Sequence, residues 1–230
     1  MRNLASVLFT AGLAFLLLVI AAQIGFGDVP MRVGEGILAA APGEVQAANI
    51  VTAVLLGYRG FDTLGELSIL FAAATAVGLV LGHRHAGAAT DPPGGFILRA
   101  GTQLLFPLLL VVGLYVIAHG HLTPGGGFQG GVILAAAFFL AVLADPSRGL
   151  AQTAISLIEG LAGAVFILIG LWALVEDGEF LAPLLVDTGT LGKLISAGTL
   201  PLLSCAVGLK VGSELAGLMA HLSDAEAGES

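Results

Sequence analysis

Residues 128–144 read FQGGVILAAAFFLAVLA: seventeen positions without one charged side chain and with no alternation of polar and apolar residues. A strand of a membrane barrel alternates faces, so an unbroken apolar run of this length predicts a helix buried on all sides or exposed to lipid. The rest of the chain repeats the theme. Of 230 residues, 57% are hydrophobic and 10% charged, and the mean hydropathy is +1.01. Soluble domains carry about a quarter charged residues, so these runs mark an integral membrane protein.

Each helical crossing takes about 20 predominantly apolar residues. Six stretches meet that need: Leu4–Ile24, Leu64–Leu81, Gln103–Ala118, Phe128–Ala144, Ala151–Val175 and Leu194–Glu214. The fold class is therefore all-α, a helical bundle of about six spans. The first stretch has no charge between Arg2 and Asp28, longer than the roughly 7–15 residues of a signal-peptide core, and is expected to be retained. A net charge of −8 argues against nucleic acid, because little is available to neutralise phosphate. The single cysteine, Cys205, excludes an internal disulfide and a thiolate cluster.

The spans divide at Asp91-Pro-Pro-Gly-Gly95, where proline and glycine break helical continuity. Residues 1–90 form a two-span part and residues 91–230 a four-span part. Asn49–Leu56 is apolar but too short to cross, and reads as an interfacial or re-entrant helix leading into the second span. Arg2, Arg84, Arg99 and Arg148 fall on one side of this arrangement. The acids Asp28, Glu35, Glu44, Glu176, Asp177, Glu179 and Asp187 crowd the other, with Arg32, Arg59 and Lys193 among them. Basic loops stay cytoplasmic, which places both termini in the cytoplasm of a cell inner membrane. Ala74, Gly78 and Gly82, and again Gly208, Gly212 and Ala216, recur every four residues, a spacing that brings helix backbones close in lipid. Pro107 and Pro201 fall within spans, where each frees a backbone carbonyl that must find a partner.

Four groups of residues could carry chemistry. His119-Gly-His121 leads into Pro124, Gly125, Gly126, Gly127 and Phe128. Gly125, Gly127 and Gly130 satisfy G-x-G-x-x-G formally, but the strand and soluble βαβ unit that a dinucleotide site needs are missing. A compact glycine turn packing two helices is one reading; a protonatable loop at an ion path is the other, since histidine titrates near neutrality. As zinc ligands the two histidines lack nearby partners. At the second span, Thr63 and Glu66 fit a capping box; if the helix starts earlier, Asp62 and Glu66 share a face and Arg59 can pair with either. Glu159 lies inside the fifth span, on one stripe with Gln152, Ser156 and Gly163 at about 100° per residue. A charge at mid-bilayer costs about 2.5–3.5 kcal/mol on insertion scales, so it should face protein or water. Lys210 and Glu214, four apart on the last span, can pair, with Gly208 and Gly212 on the opposite side; snorkelling of Lys210 to the interface is the alternative.

At these residues a resemblance emerges. His119–Gly131, with Arg99, Phe106-Pro107 and Gly113-Leu-Tyr115 before it, resembles the B-type subunit (MnhB/MrpB) of multisubunit Mrp sodium/proton antiporters. Tyr58–Glu66 resembles the C-terminal end of the antiporter's large A-type subunit, or the E-type subunit of membrane-bound hydrogenases. The resemblance implies a non-catalytic subunit of a complex related to the membrane arm of respiratory complex I. Its partners would be the other Mrp antiporter subunits, namely the large antiporter-like A and D subunits and the small C, E, F and G subunits. Asp62, Thr63 and Glu66 would map to the acidic element of that family, and the histidine–glycine segment to its loop. No cofactor is expected, and a sodium ion would be held only transiently, at Glu159 or Glu66. A hydrogenase-like ion-pumping redox complex and a purely structural scaffold stand as alternatives.

Overall fold

The structure, a computed structural model, describes residues 2–23, 32–81, 94–145 and 151–227. The described residues are predominantly helical, with no strands among them, and six helices are long and apolar enough to cross a membrane: Leu4–Gln23, Gly60–Val80, Phe96–Ala118, Gly127–Ala144, Gln152–Asp177 and Leu200–Met219. The protein is thus an all-α, multi-pass membrane protein. Parts of the charge and linker readings, Arg84, Arg148, Asp28, Gly82 and residues 91–93, lie outside the described residues.

Two compact units are present, residues 1–37 and residues 38–230. The first contains α1 (Arg2–Gln23), an apolar helix whose described side chains from Leu4 on are all exposed. A helix that the apolar pattern does not announce, α2 (Arg32–Glu44), carries the chain into the second unit. Its Gly-rich, Pro42-containing sequence has too short an apolar face to show by periodicity.

In the larger unit, Asn49 caps α3 (Ile50–Thr52) by accepting the Val51 N–H, and the helix widens at once into a π-helical turn, Ala53–Tyr58. This is the short non-crossing helix expected from Asn49–Leu56. Then come α4 (Gly60–Leu81), α5 (Phe96–Ala118), α6 (Gly127–Ala144), α7 (Gln152–Asp177) and α8 (Leu200–Ala227). Helix α8 is the most buried span, packed on by α4, α5, α6 and α7, while α5 and α6 form a tight hairpin.

Glycine makes the α6–α8 contact. A methyl group on Gly131 would come within 2.7 Å of the Gly208 carbonyl, and one on Gly127 within 2.5 Å of the Ser204 carbonyl. Backbone against backbone leaves no room for any side chain there. Gly208 and Gly212 of α8 therefore meet α6, as their four-residue spacing suggested.

Two expectations about element ends are corrected. Helix α4 starts at Gly60, so Thr63 lies inside it and no capping box with Glu66 forms. Instead the Thr63 hydroxyl, fully buried, donates to the Leu55 carbonyl at 2.6 Å, satisfying a group that the π-turn leaves open. The last helix starts at Leu200, six residues after Leu194, because Ala197 and Gly198 adopt positive φ (60° and 52°) and stop any helix before them. Pro201 lies within the span, as expected, but in its first turn, where the missing N–H costs nothing. The shift has a larger consequence: Lys210 and Glu214 move from the end of the span into its interior.

Candidate functional site: a buried ionic cluster between the last two spans

Lys210 lies midway along Leu200–Met219. Its ammonium is 2.6 Å from Glu214 Oε1, one turn on, and 3.6 Å from Glu159 Oε1 of α7. The side chains retain 12% (Lys210), 1% (Glu214) and 21% (Glu159) of their exposure. Snorkelling is therefore not what this lysine does. Its stem crosses Gly163, which leaves the space it needs, and its nitrogen lies 4.9 Å from the centre of the Phe71 ring on α4. Such a contact adds attraction at a desolvated site. Glu214 Oε2 is buried without a hydrogen-bond partner.

The polar stripe on α7 is thus used unevenly. Glu159 and Gly163 face Lys210, whereas Gln152 and Ser156 are exposed. Three helices build one cluster whose carboxylates outnumber its ammonium. Phe71 was not legible as a member, since a phenylalanine in an apolar span carries no signal of its own.

The histidine–glycine segment is elsewhere and does not touch the cluster by any ion pair or hydrogen bond among the described residues. His119 stacks on Tyr115 (centroids 4.0 Å apart), and its Nδ1 lies 3.1 Å from the Tyr115 carbonyl. His121 is fully buried, with Nε2 3.1 Å from the Leu194 carbonyl and Nδ1 without a partner. Burial pushes its pKa down, against the raising effect of the Leu194 and Lys193 backbone contacts, and the neighbouring His119 pushes it down further. Pro124 is exposed, Gly125 and Gly126 take positive φ (136° and 129°), Gly127 opens α6, and Phe128 is half-buried.

What anchors this loop is a residue that the sequence marks only as a boundary. Asn49 Nδ2 donates to the carbonyls of Gly120 (2.7 Å) and Thr123 (2.8 Å), while Asn49 N–H donates to the His121 carbonyl at 3.0 Å. Thr52 adds a second donor to Gly120 at 2.6 Å, and Ser204 of α8 donates to Ile117 at 3.1 Å. The one available clue was an asparagine immediately before an apolar run, the signature of an N-cap.

At the start of α4, Arg59 pairs with Asp62 at 2.5 Å, both well exposed. Glu66, one turn further on the same face, is exposed and makes no ion pair among the described residues. Near this end an acidic cleft of about 390 Å³ lies between Tyr58, Gly60, Glu44, Asp177 and Glu179. Tyr58 donates to Glu44 Oε2 at 2.6 Å. Burial, that hydrogen bond and the Glu44 charge together push the phenol up to about 12.

Ionisable groups within spans, sheltered by neighbouring helices, define a class: multi-pass membrane proteins with an internal ionic site. Residues 97–217 match the family described as a domain related to the MnhB subunit of Na+/H+ antiporters, and residues 2–93 match the E-type subunit of the MBH family. This chain belongs to the MnhB-related family.

The chain is similar to an uncharacterized protein of Methanocaldococcus jannaschii, 32% identical over 74% of each chain. It is 25% identical to the A/B-type subunit of a probable K+/H+ antiporter of Rhizobium meliloti, over 64% of this chain but only 17% of that one. A putative antiporter subunit mnhB2 of Staphylococcus aureus shares 50% identity over 48 residues, covering 21% of this chain and 34% of the relative.

Among solved structures, a chain of the membrane-bound sulfane sulfur reductase, an archaeal respiratory membrane complex, superposes with a TM-score of 0.81 at 34% identity. That match covers 96% of this chain and 97% of the other. A chain of the Mrp complex from Dietzia superposes with a TM-score of 0.72 at 27% identity, covering 95% of this chain and 26% of that one. The chain therefore spans only about a quarter of the Mrp chain it matches.

Proposed function

We infer that the protein is a non-catalytic subunit of a multisubunit cation/proton antiporter of the Mrp type, in which Glu159 is a titratable group of the translocation path. The observation that carries this reading is the Glu159–Lys210–Glu214 cluster at the middle of the bundle. A charge there is expensive unless it serves function or assembly, and Glu159, the most accessible of the three, has no full-strength partner. Large antiporter-like subunits and small companion subunits, as in the Mrp relatives, are its partners. The membrane is the cell's inner membrane, with both termini cytoplasmic. The division at residues 90–91 separates an E-type part from a B-type part, in keeping with the two family matches.

The test replaces Glu159 with Gln in the assembled complex, keeping shape while removing the charge. Sodium-driven proton movement in vesicles should fall by an order of magnitude or more with the complex intact. Unchanged exchange would remove Glu159 from the path, and a complex that falls apart would favour the scaffold reading.

A second reading is supported by structural likeness. The sulfane sulfur reductase chain superposes with a TM-score of 0.81 at 34% identity, against 0.72 and 27% for the Mrp chain. A redox-driven complex that moves ions with the same membrane module fits that pattern. Affinity purification from the native membrane separates the two: co-purifying redox subunits would favour the second reading, and antiporter-like subunits alone the first.

A further inference from the structure

Which ion the buried cluster takes follows from what lines it, given the reading of that cluster as part of the path. A sodium ion entering a protein must exchange its water shell for several oxygen atoms. The carboxylate oxygens that meet here, Glu159 Oε1 and Glu214 Oε1, both face the Lys210 ammonium, at 3.6 and 2.6 Å, so the cation position between them is taken by a nitrogen. The Phe71 ring lies over the same nitrogen. Ser213 of α8 turns its hydroxyl back on its own helix, donating to the Leu209 and Lys210 carbonyls at 2.7 and 3.0 Å. Among the described residues, no three His, Cys, Asp or Glu side chains gather into a metal cage.

Charge counting gives the complement. Two carboxylates and one ammonium leave a net negative charge in a low-dielectric span, which is costly. Among the described residues, no neighbouring element supplies the missing positive charge. Helix α6 has no charged residue, α5 has only Arg99, exposed near its start, and α4 contributes Asp62 and Glu66, both exposed, with Asp62 paired to Arg59. The balancing charge must be small enough to sit on an oxygen.

We propose that the Glu159–Lys210–Glu214 cluster is a one-proton site that excludes sodium, with Glu159 receiving the proton and Lys210 shifting between the two carboxylates. The arrangement suits a proton on Glu159: Lys210 is committed to Glu214 at 2.6 Å and stands off from Glu159 at 3.6 Å. When a proton leaves a Glu159 carboxyl oxygen toward the path, the ammonium moves toward Glu159 and is shared. Its return toward Glu214 accompanies the next uptake. No other bond is made or broken.

Infrared difference spectroscopy of the whole complex in lipid, comparing wild type with variants, tests this through the carboxylic-acid C=O stretch. One such band should be missing in both Glu159→Gln and Glu214→Gln, because either change leaves a neutral pair that needs no proton. Lys210→Met should double it, since both acids then need neutralising. If Lys210→Met does not assemble, the two Gln variants decide. Replacing potassium by sodium at constant pH should leave the band unchanged. A band that shrinks with sodium, or that survives in both Gln variants, overturns the proposal. Exchange lost in Glu159→Gln together with a sodium-sensitive band would sink this inference but not the antiporter reading; normal exchange with a sodium-insensitive band would do the reverse.

Discussion

His121 shows how a residue type that reads as chemistry can be placed as structure. Its ring is fully buried, Nε2 holds the Leu194 carbonyl, and Nδ1 has no partner. Burial favours the neutral ring, so its pKa in the fold is below the ordinary value of about 6.5. The sign follows from linkage. A lowered histidine pKa contributes stability that is fully present above pH ~6.5 and is lost as pH falls through the folded value. Thermal unfolding of the purified complex should therefore show a midpoint that drops on acidification below about pH 6. In His121→Gln, which keeps a side-chain donor for Leu194 but cannot gain a charge, that part of the acid dependence should disappear. An unchanged acid profile would show that His121 does not couple to stability.

Between helices, close approach in lipid has no hydrophobic drive and depends on packing and small residues. The α6–α8 pair meets that condition at Gly127 and Gly131, where an added methyl would press on backbone carbonyls that cannot rotate away. Gly131→Ala should cost about 1–3 kcal/mol by overpacking, read as a lower unfolding midpoint and less assembled complex. Gly160 of α7 is the control, because nothing lies within 4 Å of its added methyl. Gly160→Ala should be neutral or stabilising by up to about 1 kcal/mol, since glycine is a poor helix former. Equal damage from both would show that the α6–α8 contact is not the sensitive one. The π-turn at Ala53–Tyr58 makes a similar point: the buried Thr63 hydroxyl satisfies its Leu55 carbonyl, so a residue that reads as a cap becomes a brace between two helical segments.

Within the larger unit, the bundle built on α8 is joined to the earlier part of the chain by α4 against α8 and by the Asn49 clamp on the histidine loop. Each of these contacts joins the part before residue 91 to the four-span bundle after it. The two sequence regions resemble parts that relatives distribute among subunits, so their interface should survive a cut. Co-expressed fragments 1–90 and 91–230 are expected to co-purify. Asn49→Ala should weaken that association by about 2–4 kcal/mol, combining a lost N-cap with buried carbonyls left short of donors. Fragments that associate equally well with Asn49→Ala would place the adhesion entirely in α4 and α8.

The lipid solvent, the helical class and the six crossings are legible in the chain alone, because apolar length and the absence of charge are local properties. So is the need of Glu159 for shelter, since desolvation cost depends on depth in the span, whereas Lys210 reaches mid-span only because the last helix starts at Leu200. What shelters them is not legible. Glu159 and Lys210 are distant in sequence, and it takes the packing of α7 on α8 to bring them within 3.6 Å. Likewise Asn49 reads as a boundary until the fold sets it against carbonyls 71 and 74 residues away. Pairing partners are a property of how helices pack, and packing is settled by shape at close range, where one methyl group decides the outcome.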